Sequence, residues 1–111
     1  MGNSDILKGW TDMEIRERDI ERSLASMVKR HGGLCLKWTC PGWTGVPDRI
    51  ILLPDRRLIF AETKRPKGGR IAPMQQWWAD KLTEFGFCHR FIFDHRDIDA
   101  LEAKIAGRWS K

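Results

Sequence analysis

No run of apolar residues in this chain approaches the ~20 that a membrane-spanning helix needs. The opening MGNSDILKGW lacks a basic segment followed by a long apolar one, so it does not read as a secretion signal. A cytoplasmic protein with no membrane partner is the expectation. Cysteine is scarce and odd in number: Cys35, Cys40 and Cys88, without a secretion signal, are expected to be reduced thiols. Cys35 and Cys40 have no second Cys or His pair close by, which argues against zinc and for thiols in the core. The glycine-lysine spacing of a P-loop is missing, as are internal repeats and low-complexity tracts.

What remains is a chain of 111 residues with 41% hydrophobic and 32% charged residues, a balance that folds rather than stays disordered. Its length suits one domain, expected over residues 11–111 after a loose lead-in at 1–10. The net charge of +5 suits a polyanion such as nucleic acid, and it equally suits an ordinary solvated surface.

Hydrophobic period and punctuation predict seven elements. Thr11 and Glu14 have capping-box spacing and start a helix that Gly32-Gly33 stops, with Met13, Ile20, Leu24, Met27 and Val28 on one face. Glu17 lies inside that apolar arc and Glu21 at its edge. A carboxylate among core positions is costly unless paired, so Glu17 either reaches past the core edge or points into a polar site. Residues 34–38 alternate as a strand, with Leu34, Leu36 and Trp38 on one face, and 39–47 form a Gly/Pro loop carrying Trp43. A loop Trp plugs a core edge or stacks on bases. Two strands at about 49–53 and 58–64 form a hairpin, apolar on both faces, which predicts a sheet covered on both sides. A second helix begins at Pro73 and runs to Gly86 with Met74, Trp78, Leu82 and Phe85 inward. Gln75 flanks that stripe. A strand over 87–93 and a helix over 95–106, capped by Asp94, complete an α/β fold of order α-β-β-β-α-β-α with a mixed sheet flanked by helices.

The stretch VPDRIILLPDRRLIFAETK, residues 46–64, concentrates the chemistry. On a strand, Glu62 and Lys64 share a face while Thr63 points away. If Leu52 pairs with Leu58, Asp48 falls opposite Glu62; if Leu53 pairs with Leu58, Asp48 faces Thr63 and the cluster is lost. In the first register Asp48, Glu62 and the backbone carbonyl of Thr63 are hard oxygen donors suited to Mg²⁺. Lys64 is then placed to hold a water or stabilise phosphoryl charge, and Glu17 to reach the metal's water shell. No role falls to the Thr63 side chain. The loop at 65–72 carries Arg65, Lys67 and Arg70, which with Lys37 and Trp43 are candidate nucleic-acid contacts.

Together Glu17-x-x-Ile20, Gly32-Gly33, Gly45-Val46-Pro47-Asp48, Glu62-Thr63-Lys64 and Gln75 resemble the VRR-NUC domain, the virus-type replication-repair nuclease branch of the PD-(D/E)xK superfamily. The resemblance covers about Glu14 to beyond Phe93 and implies a restriction-endonuclease-like core of phage or bacterial type, with the cytoplasm of a bacterium or infected host as its setting. It implies a metal-dependent endonuclease acting on branched DNA, a Holliday junction or flap, with Mg²⁺ as cofactor and Mn²⁺ able to substitute. By position, Asp48 and Glu62 would bind metal, Lys64 would be the catalytic lysine, and Glu17 and Gln75 would complete the site. Small members of this family are expected to be homodimers, for which Trp10, Trp77 and Trp109 are candidate interface residues. Two other readings compete. A double-stranded-RNA-binding module shares the α-β-β-β-α order but wants lysines where this chain has PMQQWW, and it leaves the acids unexplained. A non-catalytic structural subunit on a nuclease-like fold conflicts with the intact Asp48, Glu62 and Lys64.

Overall fold

In a computed structural model that describes residues 16–107, the element order is the one expected: α1 (Glu17–Arg30), β1 (Leu34–Lys37), β2 (Arg49–Leu53), β3 (Arg57–Thr63), α2 (Pro73–Glu84), β4 (Cys88–Ile92) and α3 (His95–Ala106). The first helix begins later than expected. Thr11, Met13 and Glu14 lie outside the described residues, as does the lead-in. The helix itself starts at Glu17, because Arg16 is extended (φ −91°, ψ 157°) and its N–H donates to the Asp19 carboxylate at 3.1 Å. Gly32, at φ +77°, stops α1 in a backbone conformation that side chains disfavour.

The four strands lie in chain order, antiparallel from β1 to β3, with β4 parallel to β3 across the α2 connection. In the hairpin, Leu52 pairs with Leu58 and Leu53 with Arg57. The turn is Pro54-Asp55-Arg56, with Asp55 (φ +65°) and Arg56 (φ +60°) both left-handed. This is the register that puts Asp48, one residue before Arg49, level with Glu62, one residue after Ala61.

One face of the sheet is a true core. Ile51, Ile59 and Ala61 meet Ile20, Leu24, Met27 and Val28 of α1 and Ile98, Leu101 and Ile105 of α3. The four α1 side chains are fully buried. At roughly 1.5–3 kcal/mol each, their burial outweighs helix-propensity differences of under ~1 kcal/mol per residue. Asp94 caps α3 by accepting the Asp97 N–H at 3.1 Å.

The other face is not covered as expected. Helix α2 packs against β4, burying Phe60 and His89, but Leu34, Leu36 and Leu52 are 60%, 44% and 42% exposed. The inward stripe assigned to α2 is also corrected: Ala79 and Leu82 are buried and Trp78 is half-buried, whereas Met74 and Phe85 face water. Helix α2 meets the sheet chiefly at β4, and Trp78 packs on Trp38 beyond β1, so the apolar side chains of β1 and β2 on this face are left uncovered. Cys35, Cys40 and Cys88 are free and half-buried, and Cys35 and Cys88 pack against the core.

Candidate functional site

Three elements end at one place. β2 begins one residue after Asp48, β3 ends at Thr63, and the first turns of α1 pass above both. Asp48 is held from two sides: its backbone C=O accepts the Trp38 N–H at 2.9 Å, and its carboxylate accepts from Thr63, the N–H at 3.2 Å and the hydroxyl at 2.7 Å. The Thr63 hydroxyl also lies 3.3 Å from Glu21 Oε1. A hydroxyl has one proton to give, and the shorter contact marks Asp48 as its preferred acceptor. Thr63 is fully buried, so its side chain, given no role from sequence, is the pin that turns Asp48 toward α1.

There Asp48 meets Glu17 and Glu21, each offering a carboxylate oxygen within 4.8 Å of the others. Crowding of this kind resists ionisation. Burial raises the Glu17 pKa first, with the charges of Asp48 and Glu21 adding to it. Burial also raises Asp48, although the two Thr63 hydrogen bonds oppose the shift. Glu21 is balanced by Arg49, whose Nη2 lies 3.0 Å from its Oε2.

On the other side of Asp48 is a second unit. Lys64 Nζ donates to Gln75 Oε1 at 2.6 Å, and Gln75 Nε2 donates to Glu62 Oε2 at 3.2 Å. The Ala72 N–H also donates to Gln75 Oε1 at 2.8 Å, fixing the amide at the start of α2. Lys64 Nζ stands 3.8 Å from Glu62 Oε2. Gln75 thus spaces an ammonium from a carboxylate. The Glu62 pKa is pushed up to about 7, chiefly by burial and then by the charge of Asp48, with Lys64 pulling it down. Its other oxygen, Oε1, is buried without a hydrogen-bond partner.

An orphaned buried carboxylate oxygen beside three converging carboxylates is costly as it stands. A bound hard cation would relieve it, and the donor set, all oxygen, fits a divalent ion of the Mg²⁺ or Mn²⁺ kind. The convergent trio is Glu17, Glu21 and Asp48, with Glu62 beside it.

The expected Asp48, Glu62, Lys64, Glu17 and Gln75 therefore lie together. Glu21, Arg49 and the Thr63 hydroxyl complete the neighbourhood and escaped the sequence reading. One signal pointed to Glu21: it is four residues after Glu17, and like charges at that spacing repel on one helix face, a cost that marks the pair unless something calls for it. Among the candidate nucleic-acid contacts, Lys37, Trp43, Arg65, Lys67 and Arg70 are all exposed. Trp77 is 43% exposed, while Trp10 and Trp109 lie outside the described residues. No helix among the described residues is long and apolar enough to cross a membrane.

No protein-family model matches the chain. Over 88 residues it is 39% identical to "Putative nuclease p44" of Acyrthosiphon pisum secondary endosymbiont phage 1, a match spanning 78% of this chain and 91% of that protein. A solved structure described as a VRR_NUC domain superposes with a TM-score of 0.72 at 22% identity, covering 77% of this chain and 91% of the other.

Proposed function

The chain belongs to the nuclease family of this phage relative and has the VRR-NUC fold, and we propose that it is a divalent-metal-dependent DNA endonuclease. The observation that carries the reading is the pairing of two units at one strand end: the Lys64-Gln75-Glu62 chain of hydrogen bonds, and the acid cluster with an orphaned oxygen at Glu62.

In this reading Asp48, Glu62 and the Thr63 carbonyl would hold the ion, with Glu17 and Glu21, whose carboxylates converge on Asp48, adding oxygen donors beside it. A bound divalent ion supplies charge neutralisation of the phosphoryl oxygens and a water activated for attack. Lys64, kept extended by its bond to Gln75, donates a hydrogen bond to the attacking water or to a phosphoryl oxygen as negative charge builds there. Gln75 acts through Lys64 and Glu62, holding both in place. Thr63 keeps the Asp48 carboxylate turned to the site. Arg65, Lys67, Arg70 and Lys37 contact backbone phosphates, which position the strand without reading its sequence.

The finer reading takes branched DNA, a junction or flap, as substrate and a homodimer as the acting form, since two sites related by a two-fold axis can cut two symmetric strands. Its support is the resemblance of the motifs to the VRR-NUC domain. Purified protein should nick or cleave members of a panel of flap, splayed-arm, Holliday-junction and linear DNAs with Mg²⁺ or Mn²⁺ but not with EDTA. Lys64→Ala should abolish cleavage while binding persists. Cleavage that survives both Lys64→Ala and Asp48→Ala would sink the assignment.

A further inference from the structure

Trp43 and Trp77 are 56% and 43% exposed, although a large aromatic ring gains most from leaving water. Both rest on the half-buried Trp78 in near-perpendicular contacts, with centroids 5.6 Å and 5.2 Å away and interplanar angles of 77° and 88°. The arrangement is built to stay in place. The Trp78 indole N–H donates to the Thr44 carbonyl at 3.1 Å, clamping the loop to α2. Gly45, at φ +80°, lets the loop backbone come so close that a Cβ there would lie 2.6 Å from Met74 Cβ. The helix under this clamp also carries Gln75, three residues before Trp78 and bonded to Lys64 and Glu62. Trp78 lies one turn (~5.4 Å) after Gln75 on the same side of α2, which sets Trp43, packed on Trp78, on the side of the helix that holds Lys64, while Trp77 extends the aromatic surface further round the helix.

We propose that Trp43 and Trp77 form a stacking platform for unpaired nucleobases beside the scissile phosphate, so that the site selects DNA whose cut strand is locally single-stranded. The inference rests on the nuclease reading and names its substrate class. Every base offers a π-face, so stacking on tryptophan tolerates sequence while requiring that the base be out of the duplex. The surroundings favour a polyanion over an apolar protein partner: the basic loop at 65–70, with Arg65, Lys67 and Arg70 exposed, leads into the same helix, the whole chain carries +5, and Lys81, ion-paired to Glu84 at 3.3 Å, stands 5.6 Å over the Trp77 ring. A duplex alone would meet the cations and leave the rings unused.

The test uses DNA with 2-aminopurine at the first unpaired position of a splayed arm, alongside a fully paired duplex, in EDTA so that binding is read without cutting. Wild-type protein should quench the probe and prefer the splayed arm. Trp43→Ala should abolish the quenching and lower the affinity ratio of splayed arm to duplex by roughly 5- to 150-fold, the range for loss of one stacked base. Trp43→Phe should keep most of the ratio, and Trp77→Ala, on the helix rather than in the loop, should lower it independently. A ratio unchanged in both alanine variants, or equal losses on both DNAs, would overturn the platform. Wild-type protein that quenches and prefers the splayed arm, yet cuts neither DNA with Mg²⁺, would leave the platform standing and defeat the nuclease reading instead.

Discussion

Replacing Glu62 with glutamine should remove a defined part of the pH dependence of stability. Burial, and after it the charge of Asp48, push the Glu62 carboxyl up to about 7 from the ordinary 4.5. The folded state therefore binds this proton more tightly than the unfolded state does. Its contribution is fully present below pH 4.5, and it is lost as pH rises through 7. At 1.36 kcal/mol per unit, the loss is about 3 kcal/mol for this one group. For a domain of this size that corresponds to roughly 10–20 °C in Tm. Above pH 7 a divalent ion should restore stability by taking the proton's place, and an ion present at about 100 times its Kd supplies about 2.7 kcal/mol. Differential scanning fluorimetry between pH 4.5 and 8.5, with EDTA and with Mg²⁺, on wild type and Glu62→Gln, reads both effects. The difference between the two proteins isolates Glu62 from other titrating groups. A wild-type Tm that follows the variant's across this range, or an ion-induced rise as large in Glu62→Gln as in wild type, would refute the reasoning.

Three further outcomes follow from the same geometry. Gln75→Ala frees Lys64 Nζ and Glu62 Oε2 together and should lower kcat by about 10–100-fold, as loss of an outer hydrogen-bond partner commonly does, with KM little changed in steady-state assays. Thr63→Val keeps the volume but takes the hydroxyl from Asp48; it should cost about 1–2 kcal/mol in urea unfolding and weaken Mg²⁺ binding by calorimetry, and unchanged binding would remove the pinning role. Gly45→Ala drives a Cβ against Met74 at a positive φ, and a cost of about 1–3 kcal/mol should appear as a lower unfolding midpoint.

Much of the local organisation is legible without coordinates. Ile20, Leu24, Met27 and Val28 recur at helical spacing and are the fully buried face of α1. Asp94 and Asp97 announce the start of α3, and two apolar runs at about 49–53 and 58–64 on either side of Pro54-Asp55 announce the hairpin. Glu62 and Lys64 share a strand face whatever surrounds them. These features depend on near neighbours in sequence, through backbone sterics and side-chain period, so near neighbours suffice to find them.

The hairpin register was a choice between two pairings that differ by one residue, and the pattern of apolar residues on both faces did not decide it. The Pro54-Asp55-Arg56 turn decided it, and with it the meeting of Asp48 with Glu62. Tertiary packing alone lays α1 so that Glu21 joins Glu17 and Asp48, and brings Gln75 from a helix eleven residues beyond Lys64 to bridge it to Glu62. Packing also leaves Leu34, Leu36 and Leu52 in water, because apolarity records what a residue prefers and not whether a helix is long enough to cover it. The sequence by itself thus determined which side chains carry charge, which segments are helix or strand, and which strand face holds Glu62 and Lys64. Only the tertiary structure decided which of those charges meet, since that depends on a turn and on two helix placements whose causes lie far apart along the chain.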